Sequence, residues 1–341
     1  MGAPGSSFAL VSSPLMHGWG DIIAQYLIRE RGVAMPHHKM EYTAFANGEL
    51  LPQIPESVRR QHVFFVHALQ YPDPNTALMT MFLTNDAMQR ASVDGITLVL
   101  PYIPYLRQDR KDKPRVPISA RTIADLVESN RAVKQLITID MHAEQEQGFF
   151  SIPVDNLSSV RPFSEHILDR FGTDTENIVL LAADFGGVVR TRRLAEELTQ
   201  QLSKNIAFAM VEKRRVGPNK ATIAGIIGAS VAGARVIIGS EDIIDTGGTL
   251  REVINFVIGK GALEVVTYAT HGIFSNNAEQ YFAEHNFWVG CTDSIPRSPE
   301  YYAANSWLTK IPIAQYFAEA IFEATQPGGS ISKLSTSRRR K

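Results

Sequence analysis

The stretch Val236-Ile-Ile-Gly-Ser-Glu-Asp-Ile-Ile-Asp-Thr-Gly-Gly-Thr-Leu250 decides the fold. Its apolar, β-branched opening reads as a strand. Two adjacent acids, Glu241 and Asp242, follow, then a third, Asp245, and then the turn Thr246-Gly247-Gly248-Thr249. Beyond the turn, Leu250, Val253, Ile254, Val257 and Ile258 recur with the spacing of one buried helix face, and Gly259 and Gly261 end the pattern. Backbone N–H groups at a glycine turn and helix N-terminus, with the hydroxyls of Thr246 and Thr249, can cradle a phosphate. Acids just before them can hold a sugar's vicinal hydroxyls, directly or through Mg2+, because hydroxyls donate to carboxylates and Mg2+ favours oxygen ligands.

Outward from this stretch the same alternation repeats. Short apolar runs at Phe8–Val11, Val63–His67, Ile96–Leu100, Leu136–Ile139, Ile178–Ala183, Ile206–Val211, Ala234–Ile238 and Val265–Ala269 read as strands, with helical patterns between them. Strands that are apolar along their whole length belong to parallel sheets covered on both faces, so the class is α/β. Ligands in such folds bind beyond the carboxyl ends of strands. Polar groups gather there: Asp140 and His142, Asp184 with Gly186-Gly187, Glu212-Lys213-Arg214-Arg215, and the acids at 241–245.

The chain has 341 residues, and roughly 150 residues per domain suggests two domains. The boundary is expected near Asn156–Val160, after a turn-prone run, which gives domains 1–158 and 159–310. Residues 326–341 read as a flexible basic tail. A hydrophobic share of 44% with 20% charged residues is ordinary for a folded protein, and a net charge of −1 lacks the basic field of a nucleic-acid binder. No apolar run reaches the ~20 residues that span a bilayer, and the opening MGAPGSSFAL lacks the order of a signal peptide, so a cytoplasmic protein without membrane partners is expected. The single cysteine, Cys291, lies in an apolar stretch and reads as a packing residue. Gly-x4-Gly-Lys-Ser/Thr, Gly-x-Ser-x-Gly and His-Glu-x-x-His motifs do not occur, which sets aside the common nucleotide-hydrolase and protease templates.

The acid pair and the Asp-Thr-Gly-Gly-Thr loop resemble the phosphoribosyl-diphosphate-binding element of phosphoribosyltransferases and ribose-phosphate diphosphokinases. Three further segments favour the second family. Pro101–Ser119 contains the basic run Arg107-Gln-Asp-Arg-Lys-Asp-Lys-Pro-Arg115, similar to that family's nucleotide-binding stretch. Tyr42-Thr-Ala-Phe-Ala-Asn-Gly-Glu49 is similar to its adenine-binding element, and Ile139-Asp-Met-His142 with Gln147–Phe150 and Pro153–Leu157 is similar to its Mg2+-ATP histidine and following turn. The resemblance runs from about Phe8 to Ala324.

It implies two similar phosphoribosyltransferase-type domains, each a mainly parallel sheet flanked by helices, with the helix at 313–324 packing back on the first. It implies ATP and ribose 5-phosphate as substrates, Mg2+ as cofactor, and a homo-oligomer of the hexamer type with the adenine site shared between subunits. By position, Phe45, Asn47, Glu49, Arg107, Gln108, Asp112 and His142 match the ATP site, and His142 and Asp184 match the metal site. Glu241, Asp242, Asp245, Thr246, Gly247, Gly248 and Thr249 match the ribose 5-phosphate site, and Lys213 and Arg215 the catalytic loop. The sequence departs from the family at Ala183 and Phe185, where Pro and a small residue are usual, and at Glu144, where many members carry a serine beside an anion-binding regulatory site. A carboxylate there implies weaker phosphate activation and ADP inhibition. Two other readings stand beside the enzyme: a non-catalytic regulatory relative, which tends to lose the loop cations that this chain keeps, and a phosphoribosyltransferase, which leaves Arg107–Arg115 unexplained.

Overall fold

A computed structural model describes residues 7–172, 177–217, 220–285 and 287–335, apart from the side chains of residues 215–217, 220–221, 240 and 335. The chain forms two compact units that divide after Leu157, with 313–334 returning to the first.

The first unit holds β1 (Phe8–Ser12), α1 (His17–Arg31), β2 (His37–Lys39), β3 (Glu41–Ala44), β4 (Leu50–Gln53), β5 (His62–Val66), α2 (Pro74–Arg90), β6 (Gly95–Val99), α3 (Ser119–Glu128), β7 (Val133–Ile139) and β8 (Val154–Leu157). Among the described residues its sheet runs β2-β1-β5-β6-β7-β8, all parallel, while β3 and β4 pair only with each other. Successive strand residues point to opposite faces. Ala9, Val11, Val63 and Phe65 accordingly pack with residues of α2 and α3, and Leu10, Phe64 and Val66 pack with α1 and the returning C-terminal helix. Burying a side chain of this size contributes roughly 1.5–3 kcal/mol, and neither face can be left open.

The second unit holds α4 (Val160–Phe171), β9 (Ile178–Ala182), α5 (Val188–Leu202), β10 (Ala207–Gly217), β11 (Lys220–Gly228), β12 (Arg235–Ile244), α6 (Gly248–Gly259), β13 (Glu264–Gly272), α7 (Ala278–Glu284), β14 (Trp288–Thr292), α8 (Pro299–Ala304) and β15 (Leu308–Ile311). The order is β11-β10-β9-β12-β13-β14-β15, parallel except for the β10–β11 hairpin. Val236 and Ile238 face the side covered by α6, and Ile237 faces that covered by α4 and α5. Cys291 is buried here, and burial pushes its thiol up to about 12, the state of an inert packing residue.

The last helix, α9 (Ala314–Thr325), lies against α1, with Trp19 and Phe317 centroids 5.3 Å apart. Part of the segment read as a flexible tail is structured. Residues Ile331–Ser335 form a 3-10 turn, Leu334 is buried, and Tyr316 Oη donates to its carbonyl at 3.0 Å. Residues 336–341 lie outside the described residues.

Two other details differ from the pattern in the sequence. β12 does not stop at Ile238 but continues to Ile244, so Glu241 and Asp242 belong to the strand rather than to a loop. Ile258 is 48% exposed although Leu250, Val253, Ile254 and Val257 are buried. Eight residues advance a helix about 80° past its starting direction, which puts Ile258 at the edge of the apolar stripe. Among the described residues no helix is long and apolar enough to cross a membrane.

Candidate active site

A β-bulge places the acids at the end of β12. Ile238 pairs with Thr267 and Glu241 with Ala269, so three steps along β12 match two along β13. Such an extra residue re-aims the side chains that follow it. The carbonyl of Gly239, inside the bulge, accepts a hydrogen bond from Thr191 Oγ1 at 2.6 Å. Asp242 is buried and accepts from Arg190 Nη2 at 3.0 Å. Arg190 sits in the first turn of α5, directly after the turn that carries Asp184.

In that turn, Asp184 Oδ1 accepts from the N–H of Gly187 at 3.0 Å. The same glycine passes close over the β12 acid, since a Cβ at Gly187 would lie 3.3 Å from Glu241 Oε1. That oxygen is buried and has no hydrogen-bond partner. Burial, with the Asp184 and Asp242 carboxylates beside it, pushes the Glu241 carboxyl up to about 7 against the opposing pull of Arg190 and Lys213. Three acids and two cations thus act on one another at one strand end. Phe185, between Asp184 and the glycines, is 82% exposed.

Beyond Ile244 the chain enters the glycine turn. Gly247 has φ of +69°, and a Cβ there would stand 2.9 Å from Phe282 Cζ, so both backbone conformation and space require glycine. α6 starts at Gly248 with no side chain capping it. The first N–H groups of a helix have no intrahelical partners, so with the exposed Thr246 and Thr249 they could hold an anion close to the acids in sequence.

Lys213 lies on β10, where its pairing with β11 shifts register between Glu212 and Lys213. The segment read as a catalytic loop is therefore the arm of a hairpin. The side chain of Arg215 lies outside the described residues.

The first unit presents its own polar set beyond its strand ends. Phe45, Asn47 and Glu49 occupy the exposed turn of the β3–β4 hairpin, closed by Phe45 N to Glu49 O at 2.8 Å and by Glu49 N to Asn47 Oδ1 at 3.1 Å. After β6, buried Tyr102, Ile103 and Leu106 pin the following loop, leaving Arg107 and Asp112 exposed and Gln108 partly so. Gln108 Nε2 donates to Asp112 Oδ1 at 3.4 Å. His142 follows β7 and Asp140, whose φ is +42°. Of the metal pair expected from the sequence, His142 belongs to the first unit and Asp184 to the second. Among the described residues no group of three or more His, Cys, Asp or Glu is arranged to hold a metal ion.

The sequence reading did not single out Arg190. In the sequence Arg190, Arg192 and Arg193 look alike as helix-surface charges, and in the fold the 3.0 Å contact with Asp242 ties the first to the acid cluster.

Comparison with known proteins matches residues 16–130 to the N-terminal domain of ribose phosphate pyrophosphokinase and residues 157–304 to the phosphoribosyl transferase domain. A ribose-phosphate pyrophosphokinase of Aquifex aeolicus (strain VF5) is 39% identical over 295 residues, covering 86% of this chain and 90% of the relative. One from Bradyrhizobium diazoefficiens is 36% identical over 336 residues, 98% of this chain and 99% of the relative. The crystal structure of phosphoribosylpyrophosphate synthetase from Mycobacterium smegmatis is similar with a TM-score of 0.78 at 30% identity, covering 94% of this chain and 99% of that one.

Proposed function

The chain belongs to the ribose-phosphate pyrophosphokinase family, and on that premise we propose how its residues divide the work. The reaction moves the diphosphoryl group of ATP onto the anomeric hydroxyl of ribose 5-phosphate. The hydroxyl oxygen bonds to the β-phosphorus, the bond from that phosphorus to the α-phosphoryl oxygen breaks, and AMP and phosphoribosyl diphosphate form. Chemistry of this kind depends on alignment and on neutralising phosphoryl charge.

In the second unit, the N–H groups at 247–249 with Thr246 and Thr249 bind the sugar phosphate, and Asp245 borders them. Glu241 and Asp242 accept the ribose hydroxyls, with Arg190 fixing the Asp242 carboxylate. Lys213 and Arg215 supply positive charge to the phosphoryl oxygens. In the first unit, Arg107, Gln108 and Asp112 take the ATP phosphates and ribose, while Phe45, Asn47 and Glu49 take the adenosine of a neighbouring subunit's ATP. The exposed Tyr42, Phe45 and Leu51 of the hairpin support that sharing and a homo-oligomer.

The residues fit Mg2+ held jointly with substrate. Mg2+ typically takes one or two protein carboxylates and completes its shell with phosphate oxygens and water. Asp184 lies beside Glu241, whose buried Oε1 lacks a partner, and in the first unit His142 matches the family's Mg2+-ATP histidine by resemblance. When bound, the ion neutralises phosphoryl charge. A cytoplasmic location accords with these substrates and with the inert Cys291.

The observation that carries the assignment is the acid cluster at the end of β12, joined through four residues to an uncapped helix N-terminus built on Gly247. Phosphorus NMR of the purified chain with ATP, Mg2+ and ribose 5-phosphate tests it: AMP and phosphoribosyl diphosphate should appear together. Silence favours a regulatory relative, and base-dependent consumption of phosphoribosyl diphosphate without ATP favours a phosphoribosyltransferase. With Glu144 exposed in the turn after His142, phosphate activation and ADP inhibition at a separate site should be weak. Strong ADP inhibition that does not compete with ATP would contradict that part.

A further inference from the structure

Arg297, on the segment between β14 and α8, is a buried guanidinium outside the acid cluster and the glycine turn, with its side chain only 8% exposed. Its Nη2 donates to the carbonyls of Gly272 at 3.0 Å and Ile273 at 2.9 Å, where β13 ends. Its Nη1 lies 3.5 Å from Glu279 Oε1 on α7. The guanidinium also stacks over Tyr301, 4.2 Å from the ring centroid, and lies 5.3 Å from that of Phe274. Tyr301 Oη donates to the same Glu279 oxygen.

The clamped segment leads to the sugar-phosphate turn by two routes. The first is backbone. Ile273 N and Phe274 N both donate to Ile244 O, at 2.9 and 3.1 Å, and Ser275 N donates to Asp245 O at 3.0 Å. Ile273, which Arg297 grips, and the two residues that follow it therefore hold the carbonyls from which the Thr246–Thr249 turn departs. The second route is aromatic. Phe274 packs edge-on against Phe282 and Trp307, with centroids 6.2 and 5.1 Å away, and Phe282 is the ring on which Gly247 rests. Phe274 and Asn276 have φ of +54° and +58°, conformations that non-glycine residues adopt at a cost unless their surroundings impose them. A rigid fork donating to two consecutive carbonyls, while flanking the Phe274 ring, is one such imposition.

We propose that Arg297 is a positioning residue for sugar-phosphate binding: it fixes the 272–275 backbone, which in turn fixes the depth and orientation of the Gly247 turn. It does not touch the substrate. The proposal rests on the assignment of 245–249 as the ribose 5-phosphate site.

The test compares the full chain with Arg297→Ala and Arg297→Lys. Steady-state kinetics should show KM for ribose 5-phosphate raised about tenfold in Arg297→Ala, with KM for ATP within twofold of the parent. Arg297→Lys should recover most of the loss, because an ammonium can still donate to both carbonyls. Calorimetric titration of ribose 5-phosphate, with Mg2+ and a non-hydrolysable ATP analogue present, should show the same selective loss. Should Arg297→Ala fail to fold, Arg297→Gln, which keeps an amide donor, carries the comparison. Unchanged ribose 5-phosphate affinity, or equal weakening for both substrates, would overturn the proposal. Absence of turnover in the parent chain would instead count against the functional assignment, and the calorimetric comparison would still decide the role of Arg297.

Discussion

Lys213 and Glu241 are the residues at which the site's electrostatics can be read singly. Lys213 opposes the raised carboxyl at Glu241 and is assigned to the transferring phosphoryl group, so truncation should act on the transition state. Removing one such preorganised donor typically lowers turnover about 10²–10³-fold. Lys213→Ala should therefore drop kcat by that order with little change in either KM, read by AMP release; a near-normal kcat would remove Lys213 from the role. Glu241 makes a different expectation. Its folded-state pKa of about 7 lies above the ordinary 4.5, so between those values the folded chain holds more protons than the unfolded one. Stability then falls as pH rises through that window, by up to about 3 kcal/mol. In magnesium-free buffer, Glu241→Gln should flatten the decline in urea midpoint between pH 5 and pH 8 and weaken ribose 5-phosphate binding. An unaltered pH slope would show that the carboxyl ionises normally. The sequence made Glu241 visible as a candidate because it adjoins Asp242 and precedes the glycine turn. It could not show the crowding, since Asp184 arrives from 57 positions earlier and Gly187 closes over the carboxyl only in the folded chain.

At the scale of elements, the strand–turn–helix around Gly247 was legible because each part follows a local rule: β-branched residues for the strand, glycine for a left-handed turn, and helical spacing for α6. The extension of β12 through the acids was not legible, because a bulge is a relation between two strands and leaves no mark on one of them. The same holds for the hairpin that carries Lys213, whose run of cations gives no apolar alternation. Gly247 tests the element directly. Gly247→Ala adds a Cβ at φ of +69°, where the left-handed conformation costs roughly 1–2 kcal/mol, and sets it 2.9 Å from Phe282 Cζ. The variant should fold with a lowered melting temperature and bind ribose 5-phosphate at least tenfold more weakly, with ATP affinity close to the parent's. Equal affinity for the sugar phosphate would mean that the turn tolerates displacement and does not form the phosphate cradle.

For the whole molecule, the parallel sheets were readable from their continuous apolar runs, whereas the return of α9 to the first unit was expected only from the family resemblance, because it rests on tertiary complementarity, Phe317 against Trp19 among others. The two units also differ in how acid should affect them. Burial lowers the pKa of His17, His37, His62 and His67, all in the first unit, and of His166 in the second. His67 is lowered furthest, to about 4, because its ring is buried, and the bond from Nε2 to the Ala77 carbonyl at 2.9 Å only partly opposes that shift. A histidine whose folded pKa is depressed contributes stability that is fully present above its unfolded value near 6.5. That contribution is lost as pH falls through the window toward the folded value. For His67 the loss approaches about 3 kcal/mol between pH 6.5 and 4. Asp155, whose carboxyl is raised by burial, opposes this within the first unit, and Glu241 opposes it in the second. Four histidines against one raised acid in the first unit, and one against one in the second, give the expected order among these shifted groups. On moving from pH 7 to pH 5, the first unit should lose stability relative to the second. Hydrogen exchange, corrected for intrinsic rates, should therefore show protection falling more in β1, β5 and β6 than in β9, β12 and β13. His67→Gln should reduce the difference, since it removes the group with the largest depression. An equal fall in both units, or one unaffected by His67→Gln, would mean that the buried histidines do not govern acid stability.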